Sequence, residues 1–449
     1  MDSESELLLD VQGSLGIISL NRPRVINSLS LDMLKGIGRA LDRFQEDRQV
    51  KAVLLRSEGD RGLCAGGDVV ALYRMLEQGR LEQGQEYFRA EYSLNARVAH
   101  YPKPYLAFMD GLVLGGGLGI SSHGSHRIVT EKTRLAMPET IIGFSPDVGM
   151  LHLLSRAQRQ LGTFLALTGS QVKAADAMAL GLADYYVLSE SLPKLQNELG
   201  QIREAADIEP LVRSYSCQPE ASALEEEAHW IEEAFAGQDI LAIQKRVAQQ
   251  AAQGSNLANQ ALRALETNSP SAIKLSLAAL RAAQELSLDQ TLEQDFILIC
   301  NSMTGHDLFE GIRAQVIDKD RKPSWQPASL AEVSQQDIAA FFTAPQGLRP
   351  LKLAAEDQTD KEREEIQDFL QALAVELKLA PAVITENIPQ LLALTKQVAH
   401  QQVRPAAPLA VFLVGLAVGQ HQAEPQQIIQ TVQAFGAAWK QQGGRRGQA

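Results

Sequence analysis

One pattern constrains this chain more than any other. A short apolar strand, a glycine-rich turn and a helix recur along its first third. "VKAVLLRS" (Val50 to Ser57) runs into "EGDRGLCAGGD", and "YLAFMD" (Tyr105 to Asp110) runs into "GLVLGGGLG". "HRIVT" (His126 to Thr130) leads towards "RLAMPETIIGFSPDVG" (Arg134 to Gly149) and another helix. Strands that alternate with helices build an α/β fold of stacked strand-helix turns. Ahead of these units, Glu6 to Leu20 reads as two strands around a turn near Gly13. "SLDMLKGIGRALDRFQED" then spaces Met33, Leu34, Ile37, Leu41 and Phe44 at helical intervals.

The totals bound what such a fold can do. A chain of 449 residues with 45% hydrophobic content has room for two or three domains and a large core. The net charge of −12, with no basic run, argues against nucleic acid or an anionic membrane as partner. Cys64, Cys217 and Cys300 are too few and too scattered for a disulfide framework or a zinc site. The acidic start "MDSESELLLD" is unlike a targeting segment, so a cytoplasmic location is expected. The apolar run Pro408 to Gly419 falls short of the roughly 18 residues that span a bilayer, and reads as a buried helix.

Helical patterns dominate from about Ala258 to Phe342. Beyond Pro345 the composition shifts to Gln, Ala and Leu without glycine loops. There Thr359 and Glu362 form a capping box ahead of the stripe Ile366, Phe369, Leu370, Leu373 and Leu377, and prolines punctuate further helices. The expected organisation is a core at 1–255, a helical part at 256–342 and a C-terminal bundle of about four helices at 343–449, its role open.

Candidate chemistry sits in the glycine loops and in the stretch that follows them. "GLVLGGGLG" breaks the dinucleotide-binding spacing at Ile120, and no phosphate-binding P-loop sequence is present. "CAGGD" and "GGG" instead read as two strand-to-helix turns whose unpaired N–H groups could together bind an oxyanion. For either loop alone, a plain tight turn explains the glycines as well. Glu139 stands among Met137, Ile141, Ile142 and Phe144, where loss of water raises a carboxyl pKa towards the range useful for acid–base work. For Asp147 the residues favour a structural reading, with Ser145 as N-cap, Pro146 at the first helical position and Asp147 on the helix dipole. His123 and His306 read as structural hydrogen-bonding residues, Cys64 as a small buried hydrophobe, and "DKDRK" (Asp318 to Lys322) as a solvated charge cluster.

"LNRPRVINSL", "GLCAGGD", "LGGGLG" and "MPETIIGFSPDVG", in this order, resemble the crotonase, or enoyl-CoA hydratase/isomerase, superfamily. "FRAEYSLN", "SSHGSHRIVTEK", "SPSAIKLSLAALRAA" and "HDLFEGIRAQVIDKDRKPSWQP" resemble its 3-hydroxyisobutyryl-CoA hydrolase branch. The resemblance covers roughly residues 5 to 342. It implies a crotonase-like stacked ββα superhelix with a helical extension, and hydrolysis of an acyl-CoA thioester as in valine catabolism. The acyl-CoA is then the substrate, coenzyme A being part of it, with no further cofactor, no metal, and no nucleic-acid or membrane partner; a homo-oligomer stays open.

Carried over by position, the resemblance makes the N–H groups of Gly67 and Gly116 the oxyanion hole. It makes Glu139 the catalytic glutamate, Asp147 the catalytic aspartate and Glu91 a substrate-binding glutamate. Arg24, Val25, Ala65 and Asp68 would line the coenzyme A site. Family hydratases carry a second glutamate at the position of Gly119; its absence here disfavours hydration and is expected to leave space for a branched 3-hydroxyacyl group. The chain departs from the branch at Ser145 and after Gly149, where Met150, Leu151 and His152 follow. The segment after Pro345 has no counterpart in it. The rival readings are an enoyl-CoA hydratase or isomerase and a non-catalytic binding protein on the same fold.

Overall fold

The computed structural model describes residues 5–353; the expected C-terminal bundle, with its capping box and apolar stripes, lies outside them. Strands β1 (Leu7–Gln12) and β2 (Leu15–Leu20) form an antiparallel hairpin around Gly13, whose φ of 60° suits the turn. Helix α1 (Leu31–Glu46) follows, capped by the Ser30 hydroxyl, and buries Met33, Leu34, Ile37, Leu41 and Phe44 as the spacing predicts.

The recurring unit proves to hold two strands rather than one. β3 (Ala52–Ser57), β5 (Tyr105–Met109) and β7 (His126–Val129) join β1, β2 and β9 (Tyr185–Tyr186) in a six-stranded sheet of order β1-β2-β3-β5-β7-β9. All its pairings after the hairpin are parallel. β4 (Gly62–Cys64), β6 (Leu112–Leu114) and β8 (Arg134–Ala136) form a second, parallel sheet of order β4-β6-β8. Each turn of the spiral thus lays one strand in each sheet. The sequence reads β4 and β6 as parts of glycine loops because three residues are too few to display alternation.

The large sheet is covered on both faces. Ile17, Leu54, Leu106 and Ile128 pack under Leu195, Leu199, Ile208 and Val212, while Ile18, Val53, Leu55 and Ala107 belong to the main core. Burial on both faces explains the unbroken apolar runs of these strands. Helices α2 (Val69–Glu77), α3 (Leu81–Ala99), Pro270–Ala283 and Leu288–Ser302 share that main core. The helical part expected at 256–342 is therefore built into the same compact unit. Residues 343–353 belong there too, which moves the boundary expected at 343. Leu351 is buried, the Arg89 guanidinium donates to the Pro350 carbonyl at 2.8 Å, and Asn301 donates to the Thr343 carbonyl at 2.9 Å.

Candidate active site

Parallel pairing brings the chemistry together. Because β4, β6 and β8 run in the same direction, their carboxyl ends open on one edge, the usual place for a site in a parallel sheet. β4 delivers Gly66 and Gly67 ahead of α2. β6 delivers Gly115 and the short helix α4 (Gly116–Gly119), and β8 delivers Pro138 and Glu139. A Cβ on Gly116 would stand 3.3 Å from the Gly67 nitrogen and would collide with Glu91 Oε1, so two backbone N–H groups and a carboxyl converge where only glycine fits. Neither the Gly67 nor the Gly116 N–H is hydrogen-bonded among the described residues. Two such donors side by side form an anion-binding pair.

These groups line a cavity of about 210 Å³ together with Ala65, Tyr87, Phe88, Ile142, Phe144 and Asp147. Its walls carry four carboxyl groups, Asp68, Glu91, Glu139 and Asp147, and no cationic side chain. Glu139 opens a short turn (Glu139–Ile142); its Oε1 lies 2.8 Å from where a Gly115 Cβ would be, and its Oε2 has no partner. Glu91, on α3, has an unpartnered Oε1. Asp147 Oδ2 accepts a 2.6 Å hydrogen bond from the Tyr92 hydroxyl. Burial pushes the Asp147 carboxyl up to about 7, with the Tyr92 bond pulling it back. Burial, and then the Asp147 charge, push Glu139 and Glu91 well above the usual carboxylate range. Such a cluster titrates as a unit and does not hold a full set of charges near neutrality. Among the described residues, no group of three or more His, Cys, Asp or Glu side chains is arranged to hold a metal.

Several expectations need revision. Ser145 to Val148 is irregular and the next helix, α5 (Met150–Leu154), starts after Gly149, so Asp147 is not a helix-capping residue. Gly119 does not line the cavity. The space beside it is filled, since a Cβ would stand 2.7 Å from Val148 Cβ and 2.8 Å from Asn95 Nδ2, leaving no room there for an acyl group. "DKDRK" is exposed throughout, as a solvated cluster should be, and Asp318 and Asp320 pair with Arg313.

The residues expected at the coenzyme A site lie on two loops joined edge to edge. Arg24 and Val25 are exposed on a short turn (Pro23–Val25), and the Ala65 N–H donates to the Ile26 carbonyl at 2.8 Å. The Asp68 carboxylate is already committed, capping α2 through the Ala71 N–H and pairing with Arg22 at 3.4 Å. Cys64 is buried, its thiol pushed up to about 12 by burial.

Tyr92 and Asp295 are the site residues that sequence reasoning missed. Tyr92 directly follows Glu91 in "FRAEY", and Asp295 is the one acid inside the apolar face of "LEQDFILI" that lies fully buried. An acidic residue in an apolar run is the signal that marks Asp295, as it marks Glu139; Tyr92 has no signal beyond its place beside Glu91.

Comparison with known proteins gives the family and the fold. The family model for enoyl-CoA hydratase/isomerase matches residues 15–342, and a model described as a domain of unknown function matches residues 361–444. A mitochondrial 3-hydroxyisobutyryl-CoA hydrolase of Gallus gallus is 37% identical over 359 residues, 78% of this chain and 92% of its own length. The Homo sapiens protein of the same description is 35% identical, covering 76% and 89%. Among solved structures, a carnitinyl-CoA dehydratase from Mycobacterium thermoresistibile is 39% identical with a TM-score of 0.73, covering 79% of this chain and 100% of its own. An enoyl-CoA hydratase from Rhodobacter sphaeroides is 34% identical with a TM-score of 0.71, covering 77% and 99%. Among the described residues no helix is long and apolar enough to cross a membrane.

Proposed function

The chain belongs to the enoyl-CoA hydratase/isomerase family, and on that premise we propose that it is an acyl-CoA thioester hydrolase acting on 3-hydroxyisobutyryl-CoA or a near relative. The observation that carries the reading is the meeting of two unpaired N–H groups, Gly67 and Gly116, with a buried carboxyl pair, Glu139 and Asp147, in one small cavity. The thioester carbonyl oxygen sits between the two N–H groups, and the negative charge that grows on it as the carbon becomes tetrahedral is held there. A single donor of this kind is worth about 3 kcal/mol in the transition state.

The carboxyl pair supplies the proton transfers. Burial and mutual repulsion leave the pair sharing protons near neutrality, so one member accepts a proton while the other donates one. The ionised member takes the proton of an attacking water, and the protonated member hands its proton to the departing CoA sulfur. Direct attack by the Glu139 carboxylate on the carbonyl, breaking the C–S bond and releasing CoA with a proton from Asp147 to give a mixed anhydride that water resolves, uses the same placement. The reading assigns the coenzyme A portion to Arg24, Val25 and Ala65, of which Ala65 lines the cavity and Arg24 and Val25 are exposed on the adjoining loop. Glu91, with its free Oε1, suits a hydroxyl on the acyl chain. A carboxylate on the acyl chain would find no cation in the walls and four acids beside it.

The likeness to proteins described as a dehydratase and a hydratase keeps addition or elimination of water at the acyl chain as the second reading. Against it stands Gly119, where the hydratase pattern places its second glutamate and where Val148 and Asn95 already fill the space. The test is a panel of 3-hydroxyisobutyryl-CoA, crotonyl-CoA and carnitinyl-CoA followed by two readouts, free thiol and acyl-chain unsaturation. Free CoA from 3-hydroxyisobutyryl-CoA supports the reading. Water addition or loss with the thioester intact would replace it by the second.

A further inference from the structure

Asp147 is carried by a turn that the chain would not adopt unaided. Val148 has φ 51° and Gly149 has φ 73°, two consecutive left-handed residues, and the first is β-branched. That conformation is unfavourable for valine and persists only where surrounding groups over-determine it. Three side chains from distant parts of the sequence do so. The Tyr92 hydroxyl holds the Asp147 carboxylate at 2.6 Å. His123 Nε2 lies 2.7 Å from the Val148 carbonyl, and Asp295 Oδ2 accepts the Gly149 N–H at 2.9 Å. The three bonds fall on three successive residues, so side chain, carbonyl and amide are each fixed.

We propose that His123 and Asp295 are positioning residues that clamp the strained Val148–Gly149 turn and thereby aim the Asp147 carboxyl into the cavity. Neither lines the cavity. Asp295 is wholly buried on the helix Leu288–Ser302, with its second oxygen unpartnered, an arrangement costly to keep unless the acceptor it presents to Gly149 matters. His123 follows α4, the helix whose first residue supplies one oxyanion N–H, so the clamp ties the acid to the same element as the donor. Burial pushes the imidazole down to about 4, which keeps it neutral, and because the Val148 carbonyl can only accept, Nε2–H is the donor. Gly149 fits the same logic, because a Cβ there would meet Leu288 Cδ1 at 2.6 Å and His123 Nε2 at 3.1 Å.

The kinetic test rests on the hydrolase reading. Asp295→Leu and His123→Leu remove one clamp bond each, whereas Asp295→Asn keeps an acceptor and His123→Gln keeps a donor. Turnover of 3-hydroxyisobutyryl-CoA is compared with binding of a non-hydrolysable thioether analogue, which counts competent sites. A displaced catalytic group costs about 100-fold, so kcat per binding site should fall by that order in the leucine variants with KM and analogue affinity within about twofold. The Asn and Gln variants should recover most of it. In the Asp295→Leu background, Val148→Gly should also restore turnover, because it relieves the strain the clamp opposes; a packing role alone would not respond. Should Asp295→Leu fail to fold, Asp295→Ser, polar but too short to reach Gly149, replaces it. Unchanged kcat per site, or Asn as damaging as Leu, overturns the proposal. If the unaltered protein hydrolyses no thioester, the hydrolase reading fails. The clamp is then judged by deuterium uptake at residues 147–150, which should quicken in the leucine variants; unchanged uptake refutes it.

Discussion

The buried acids should make this protein lose stability as pH rises, and Asp147→Asn should remove part of that loss. The Asp147 carboxyl moves from 3.8 to about 7 on folding. Its folded pKa is raised, so its stabilisation is complete below about pH 4, where both states hold the proton, and is lost as pH climbs through 7. Over the whole window that shift is worth about 4 kcal/mol, of which roughly 3 kcal/mol falls between pH 5 and pH 8.5. Unfolding entropy scales with length, so about 350 cooperative residues convert this to about 4 °C in Tm. Glu139, Glu91 and Asp295 are raised as well and act with the same sign. Asparagine at 147 keeps an acceptor for the Tyr92 hydroxyl and has no proton to lose. It also removes a charge that pushes the other three acids up. The assay is Tm by scanning calorimetry for both proteins from pH 5 to pH 8.5. The wild-type Tm should fall at least about 4 °C further than that of the variant, for the reasons of linkage above. Parallel profiles would refute the idea that Asp147 is forced to share its proton in the fold.

Glu139→Gln should leave binding of a CoA thioether within a few-fold while reducing kcat by about 10³-fold or more, a loss of some 4 kcal/mol of transition-state stabilisation; calorimetric binding beside steady-state kinetics checks it, and near wild-type turnover removes Glu139 from the mechanism. Gly119→Ala puts a methyl 2.7 Å from Val148 Cβ, so it should cost about 1–3 kcal/mol in stability through overpacking and lower kcat by displacing the Asp147 turn; an unchanged Tm and kcat would mean that the contact is soft. A chain ending after Leu353, which keeps the docked Leu351, should fold and turn over substrate; a truncation that binds substrate without turnover would bring the C-terminal segment into the site.

Much of the fold was legible because its signals are local. The hairpin around Gly13, the apolar stripe of α1 and the long runs of β3 and β5 declare themselves over six or more residues. β4, β6 and β8 do not. Three residues carry no period, and these strands are defined by their parallel neighbours. The same holds at the site. Glu139 is suspicious from its apolar company alone, and the glycine loops announce an unusual backbone. That Asp147 faces the cavity depends on Val148 taking a left-handed conformation, against its preference, held by His123 and Asp295 from far along the chain. No local pattern encodes that, and a local reading of Ser145-Pro146-Asp147 gave a helix start instead. Gly119 misled for a related reason: what occupies the space beside a glycine is decided by distant Val148 and Asn95.

The central claim is that the paired carboxyls and the two N–H groups cleave a thioester by water. A single-turnover reaction of 3-hydroxyisobutyryl-CoA in ¹⁸O-water, followed by mass spectrometry with a count of free thiol, tests it directly. Hydrolysis predicts one CoA thiol per turnover and ¹⁸O in the carboxylate of the released acid, never at its hydroxyl carbon; on the anhydride route the label enters the Glu139 carboxyl or the product carboxylate according to which carbonyl the water attacks. An intact thioester with ¹⁸O exchanged into the hydroxyl carbon, or an unsaturated acyl-CoA without thiol release, would contradict the account.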